Sequence, residues 1–259
     1  MVSTQTLVLL GAIAVGAATL CCLIRLQILQ LSSVYPALTY FLAAQFLSTV
    51  ISHLIGVQSG AYEAIYLVLL TLELLSYVLM IREIYGTIFS AYPGIAVLGR
   101  WCIYGTLAIT TLIAIISVLA SKQQFLNSKS VLPLAETAAH CLILGFGCLI
   151  VVILVTISRY PLQLHRNVLL NAIFFSGILL GEAVGMIIEI ITWRSFTQYV
   201  NLAMSFNTLL WLAVWPIVLS REGETRVRKL HRNRNPADEA RLLRQLDTLN
   251  TLLLRTKQR

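Results

Sequence analysis

Two glutamates stand inside long apolar runs, Glu73 and Glu182. A carboxylate near the centre of a bilayer costs about 2.5–3.5 kcal/mol on insertion scales, so each must face protein or trapped water rather than lipid. Counted from the expected helix ends at 1.5 Å per residue, both lie roughly 15–17 Å deep, in one layer. Gln45, Ser48 and Asn207 fall near the same depth, and Tyr66 and Tyr77 share a helix face with Glu73. The candidate polar core is therefore Gln45, Glu73, Tyr77, Glu182 and Asn207. It admits two chemistries. The groups can bond to one another as interhelical glue, at about 0.6 kcal/mol per bond, or they can form a ligand pocket or proton relay.

Other chemistries lack their residues. No Asp precedes Asp238, which removes paired-aspartate proteolysis and an Asp-rich magnesium site. No GxSxG or phosphate-binding loop is present, and Gly56-Val-Gln-Ser-Gly60 stands in a short turn with no evident base. His53, His140 and Glu189 could meet near one surface, but they lack the one-helix spacing of a zinc site. Lys122, Lys129, Lys229 and Lys257 all fall outside the apolar runs, so no Schiff-base amine is available within them. The five cysteines show no CxxC spacing. No catalytic residue, metal or cofactor is called for.

The elements that position these groups are membrane helices. Of 259 residues, 58% are hydrophobic and 12% charged, and mean hydropathy is +0.83, outside the range of soluble domains. Apolar segments near 6–28, 37–57, 62–84, 100–120, 133–157, 168–192 and 197–219 are each about the 20 residues that span roughly 30 Å of hydrocarbon. The expectation is an all-α, polytopic seven-helix transmembrane bundle over 1–220, a basic juxtamembrane linker over 221–235 and a cytoplasmic helix over 236–259. With the N-terminus outside, sixteen Lys and Arg fall inside and three outside, eleven of the sixteen in the last 39 residues. That distribution explains the net charge of +8 without nucleic acid. The sixth segment carries Gly177, Gly181 and Gly185 every fourth residue, so a neighbouring backbone is expected to approach closely there.

The soluble tail has a helix start at Asn235-Pro236 and a leucine stripe, Leu242, Leu246, Leu249 and Leu253, that is narrow enough for a short coiled coil. Partners are then the lipid bilayer and, through this stripe, a second copy or a protein partner. Arg82-Glu83-Ile-Tyr85 and Tyr92-Pro-Gly-Ile-Ala-Val-Leu-Gly-Arg-Trp101 read as an interfacial elbow. That elbow, with the closing Gln245-Leu-Asp-Thr-Leu-Asn-Thr-Leu-Leu-Leu-Arg255 helix, resembles a group of uncharacterised bacterial seven-helix inner-membrane proteins. The resemblance spans the chain and implies a bacterial inner-membrane setting without supplying an activity or site residues. Three function classes stay open: a non-enzymatic sensor, receptor or scaffold; a small proton-coupled transporter using the Glu73/Glu182 layer; and an unrecognised intramembrane enzyme.

Overall fold

The computed structural model describes residues 4–54, 62–90, 92–120, 132–159, 163–191, 197–224, 227–229 and 236–257. It is helical almost throughout: α1 (Thr4–Ile28), α2 (Pro36–Leu54), α3 (Tyr62–Ile88), α4 (Pro93–Ala120), α5 (Leu132–Arg159), α6 (Arg166–Ile191), α7 (Thr197–Val218) and α8 (Pro236–Lys257). Five of these are long and apolar enough to cross a membrane: α1, α3, α5, α6 and α7. The shorter apolar stretches are Pro36–Ser52 in α2 and Trp101–Ile113 in α4. Against the seven expected spans, five are thus found among the described residues, and the apolar stretches of α2 and α4 described there are shorter.

Each of the first seven helices packs on the next in chain order, and α7 returns to α1, closing a ring. α3 also reaches α5 and α6 across the interior. Large apolar side chains point outward, among them Leu10, Ile13, Val68, Ile109, Ile116, Phe206 and Ile217. An outer surface of this kind requires lipid or another apolar phase around it. Hydroxyls turn back on their own helices, as such surroundings demand: Thr19, Thr49, Thr71, Thr110 and Thr156 each donate to the carbonyl four residues earlier. The Cys22 thiol donates to Leu212 O at 3.1 Å, linking α1 to α7.

The turns are built from specific contacts. α1 ends where Gln30 adopts φ 58°, with Gln30 N–H donating to Gln27 O and Leu31 N–H donating to Leu26 O. This is the paired-bond cap that glycine usually supplies. Pro36 opens α2, and Glu83 of α3 accepts from Ala37 N–H at 2.8 Å, capping the α2 N-terminus from a neighbouring helix. In the elbow, Tyr85 stacks near Phe89 at 4.6 Å and donates to Ile95 O. Its ring fills the space where any Cβ at Gly99 would stand. Trp101, in the third turn of α4, is exposed.

Within the expected basic linker over 221–235 the chain after α7 forms short elements. Beyond the short 3-10 turn Arg221–Glu224, β2 (Val227–Lys229) pairs antiparallel with β1 (Gln163–His165), Leu164 opposite Arg228. Asn167 Nδ2 ties the same region down by donating to Ser220 O. α8 then lies against α4. There Leu246 is 1% exposed and joins the core of the bundle, and Asn250 Oδ1 accepts from Gly94 N–H at 2.6 Å in the first turn of α4. Burial first, and the nearby Asp247 carboxylate second, push the Tyr92 phenol above its ordinary range at this seam. The expected leucine stripe therefore spends Leu246 within its own chain, because α4 offers an apolar surface at hand. Leu242 is half-buried and Leu252 exposed, and the side chains of Leu249 and Leu253 lie outside the described residues, as do residues 230–235 of the basic linker.

Candidate functional site

Glu73 and Tyr77 stand one turn apart on α3 and face Glu182 of α6, so the depth argument corresponds to a direct contact. Tyr77 Oη lies 2.7 Å from Glu182 Oε2 and 3.1 Å from Glu73 Oε1. A phenol has one proton to donate. It can donate to one carboxyl oxygen, and a second full hydrogen bond at Oη must come from a protonated carboxyl. Both contacts can be full hydrogen bonds when one of the two carboxyls carries a proton.

Beneath the bridge three aromatic rings from three helices close the interior. Phe41 of α2 sits 5.6 Å from Phe175 of α6, edge to face, and 5.8 Å from Tyr77, while Tyr77 and Phe175 are 6.1 Å apart. All three side chains are fully buried. Edge-to-face packing of this kind is worth about 0.5–1.5 kcal/mol per pair beyond the area buried, so the layer is a stable plug.

On the opposite side of Glu182 lies an open cavity of about 290 Å³ enclosed by α1, α2, α6 and α7. Its polar lining is Gln45, Ser48, Thr49 and Ser52 from α2, Glu182 from α6, and Asn201, Ser205 and Thr208 from α7. These residues follow helical spacing, i, i+3, i+4, i+7 on α2 and i, i+4, i+7 on α7, which keeps each set on one face. Ser52 and Asn201, at the ends of α2 and α7 away from α8, are exposed, and Glu182 is 8% exposed. Gln45 Oε1 is buried with no hydrogen-bond partner among the described residues. Leaving such an acceptor unsatisfied costs about 1–3 kcal/mol.

Of the five polar-core candidates, four come together: Tyr77 joins Glu73 to Glu182, and Glu182 and Gln45 line the same cavity. Asn207 does not join them. It donates through Nδ2 to Gly177 O and accepts from Trp211 Nε1, and it fills the gap over Gly181. The glycine stripe accordingly admits side chains rather than a bare backbone. Added Cβ atoms at Gly177, Gly181 and Gly185 would meet Trp211, Asn207 and Met204 in turn, all on antiparallel α7. Glu189 accepts from Thr197 Oγ1 at 3.1 Å; among the described residues no group of three metal-ligating side chains is found, and the side chain of His53 lies outside them. The sequence reading missed Ser205 and Thr208 of the cavity and the Phe41–Phe175 plug. The polar i, i+4, i+7 pattern of α7 was the available signal for the first, and nothing in the spacing marks the second.

Compared with known proteins, the chain matches no family model, no curated protein and no solved structure.

Proposed function

We propose that this protein is a non-enzymatic membrane sensor of the receptor or scaffold type, taking a small polar ligand into the cavity above Glu182. The observation that carries this reading is a polar cavity, open at one end, whose floor is an acid bridge resting on a closed aromatic layer. A pocket that ends in packed rings suits binding better than passage. Charge distribution supports an orientation with the N-terminus and cavity mouth outside and the tail in the cytoplasm across the seven expected spans, and the resemblance of the elbow and closing helix implies a bacterial inner membrane. In that orientation α3 and α6 run from the ligand site to the inner surface. There the α3–α4 elbow meets α8, which offers a route for reporting occupancy to a cytoplasmic partner.

The test is to identify what copurifies from native membranes with the wild type but not with Ser205→Trp, whose indole would fill the cavity. A small polar solute retained only by the wild type is the expected result. Identical small-molecule content in both would overturn ligand binding at this site.

A second reading, proton-coupled transport, is favoured by the Glu73–Tyr77–Glu182 hydrogen-bonded chain, which has the form of a relay. Proteoliposomes under an imposed pH gradient separate the two. The sensor reading expects proton leakage no faster than in protein-free vesicles, and the transporter reading expects a flux lost in Glu73→Gln.

A further inference from the structure

We infer that the cavity's occupant is a small primary ammonium ion, bound at Glu182 in exchange for one proton of the Glu73–Tyr77–Glu182 bridge. The inference rests on the ligand-binding reading above and adds the chemical class.

Charge comes first. Among the described residues the cavity lining holds a carboxyl group, amides and hydroxyls, and no Lys, Arg or His. An anion would meet Glu182 without a counter-charge, whereas a cation would supply the counter-charge that this carboxyl lacks. Hydrogen bonding then selects among cations. Beside Glu182 the lining offers the amides of Gln45 and Asn201 and the hydroxyls of Ser48, Thr49, Ser52, Ser205 and Thr208, whose oxygens accept hydrogen bonds, so the ligand that uses them carries N–H or O–H donors. A quaternary ammonium has none, and a primary ammonium has three. Volume sets the size. At about 30 Å³ per water, 290 Å³ corresponds to roughly ten water positions. A bare metal ion would leave most of that space to water, and an amine of several heavy atoms fills it.

The proton follows from the same ledger of charge. Glu73 and Tyr77 reach the site from α3 and Glu182 from α6. Tyr66, further along α3, is within electrostatic reach of Glu73 and of Glu136 on α5. Among the described residues, those of α1, α2 and α7 that line the cavity bring no titratable group. With no cation present, a carboxylate at this depth is costly, so the empty bridge keeps its protons. When R–NH3+ arrives, the O–H bond of the Glu182 carboxyl breaks, the carboxylate pairs with the ammonium, and the proton leaves to water through the open mouth. One positive charge enters and one departs. No electron moves and no covalent bond to the ligand forms.

The experiment is titration calorimetry on the full chain in lipid nanodiscs, with empty nanodiscs subtracted. The probes are propylammonium, tetramethylammonium and propan-1-ol, in two buffers of different ionisation heat. Propylammonium should bind saturably and release about one proton, its apparent affinity rising about tenfold per pH unit while that proton is held. Tetramethylammonium should bind at least tenfold more weakly. Gln45→Met should bring propylammonium close to the tetramethylammonium level and leave tetramethylammonium unchanged. Glu182→Gln should abolish both binding and proton release. If that variant does not fold, the Gln45→Met comparison and the wild-type buffer heats decide the matter alone. Propan-1-ol binding as tightly as propylammonium, or heats independent of buffer, would overturn the inference. If propan-1-ol binds and Ser205→Trp abolishes it, the sensor reading survives without the ammonium assignment. If Ser205→Trp binds propylammonium like the wild type, the cavity is not the site and both fall.

Discussion

Tyr77 is the residue on which the site turns, because its hydroxyl bonds to both acids. Tyr77→Phe keeps the ring in the aromatic layer and removes the bridge, leaving two carboxyls without their shared partner. A loss of about 1–3 kcal/mol is expected for unpaired buried groups, read as a lower denaturation midpoint in detergent, with the plug otherwise intact. Glu83 acts at the same scale but for architecture. Its carboxylate satisfies an N-terminal N–H of α2, so Glu83→Ala should cost about 0.5–2 kcal/mol, as loss of a helix cap does, and Glu83→Gln should recover part of it. An unfolding midpoint unchanged in Glu83→Ala would remove the capping role. Gln30 gives the opposite sign: at φ 58° a side chain is strained, and Gln30→Gly should be neutral or stabilising by up to about 1 kcal/mol. None of these three roles is legible from residue type alone, since each depends on a partner or a backbone angle fixed by the fold. The shared depth of Glu73 and Glu182 is legible, because helix rise converts residue number into distance.

Between elements, the α6–α7 seam shows how far a small-residue pattern can be read. Three glycines four apart announce a close contact, but whether backbone or side chains enter depends on the neighbour, and α7 presents Met204, Asn207 and Trp211 at matching heights. Gly181→Ala should therefore push Asn207 out of place and destabilise the bundle. Gly86→Ala should be neutral or stabilising by up to about 1 kcal/mol, because a Cβ at Gly86 meets nothing within 4 Å and helical alanine outranks glycine. Chemical denaturation of the pair checks the contrast, and equal effects would contradict the packing described. The tail helix is the counterpart case. Its amphipathic stripe was evident, but a stripe does not name its partner, and Leu246 finds α4 in the same chain. Leu246→Asp should free α8 and open the tail to limited proteolysis while the bundle stays intact. Unchanged cleavage would mean that docking does not hold the tail.

At the scale of the whole molecule, apolar runs and basic flanks were enough to draw a helical membrane bundle. Ring closure through α7 and α1, the strand pair joining residues 163–165 to 227–229, and the plug under the acid bridge all arise from contacts distant in sequence. Seven spans with the N-terminus outside can be checked with a reporter active only outside. It should work when fused near Gln58, Asn127 or Ser195 and fail after Ser220, and the reverse pattern would overturn that topology. The central claim is that the cavity opens to one side and ends at the aromatic layer. It is tested most directly by thiol accessibility in sealed, right-side-out vesicles, in a background lacking the five native cysteines. Ser205→Cys should react with a membrane-impermeant maleimide added outside. Ser176→Cys, beside Phe175 of the plug and buried, should react from neither side, even after the vesicles are inverted. Labelling of position 176 from either face would mean a continuous aqueous path through the bundle and would contradict the account. Failure to label a folded Ser205→Cys from outside would contradict the open cavity itself.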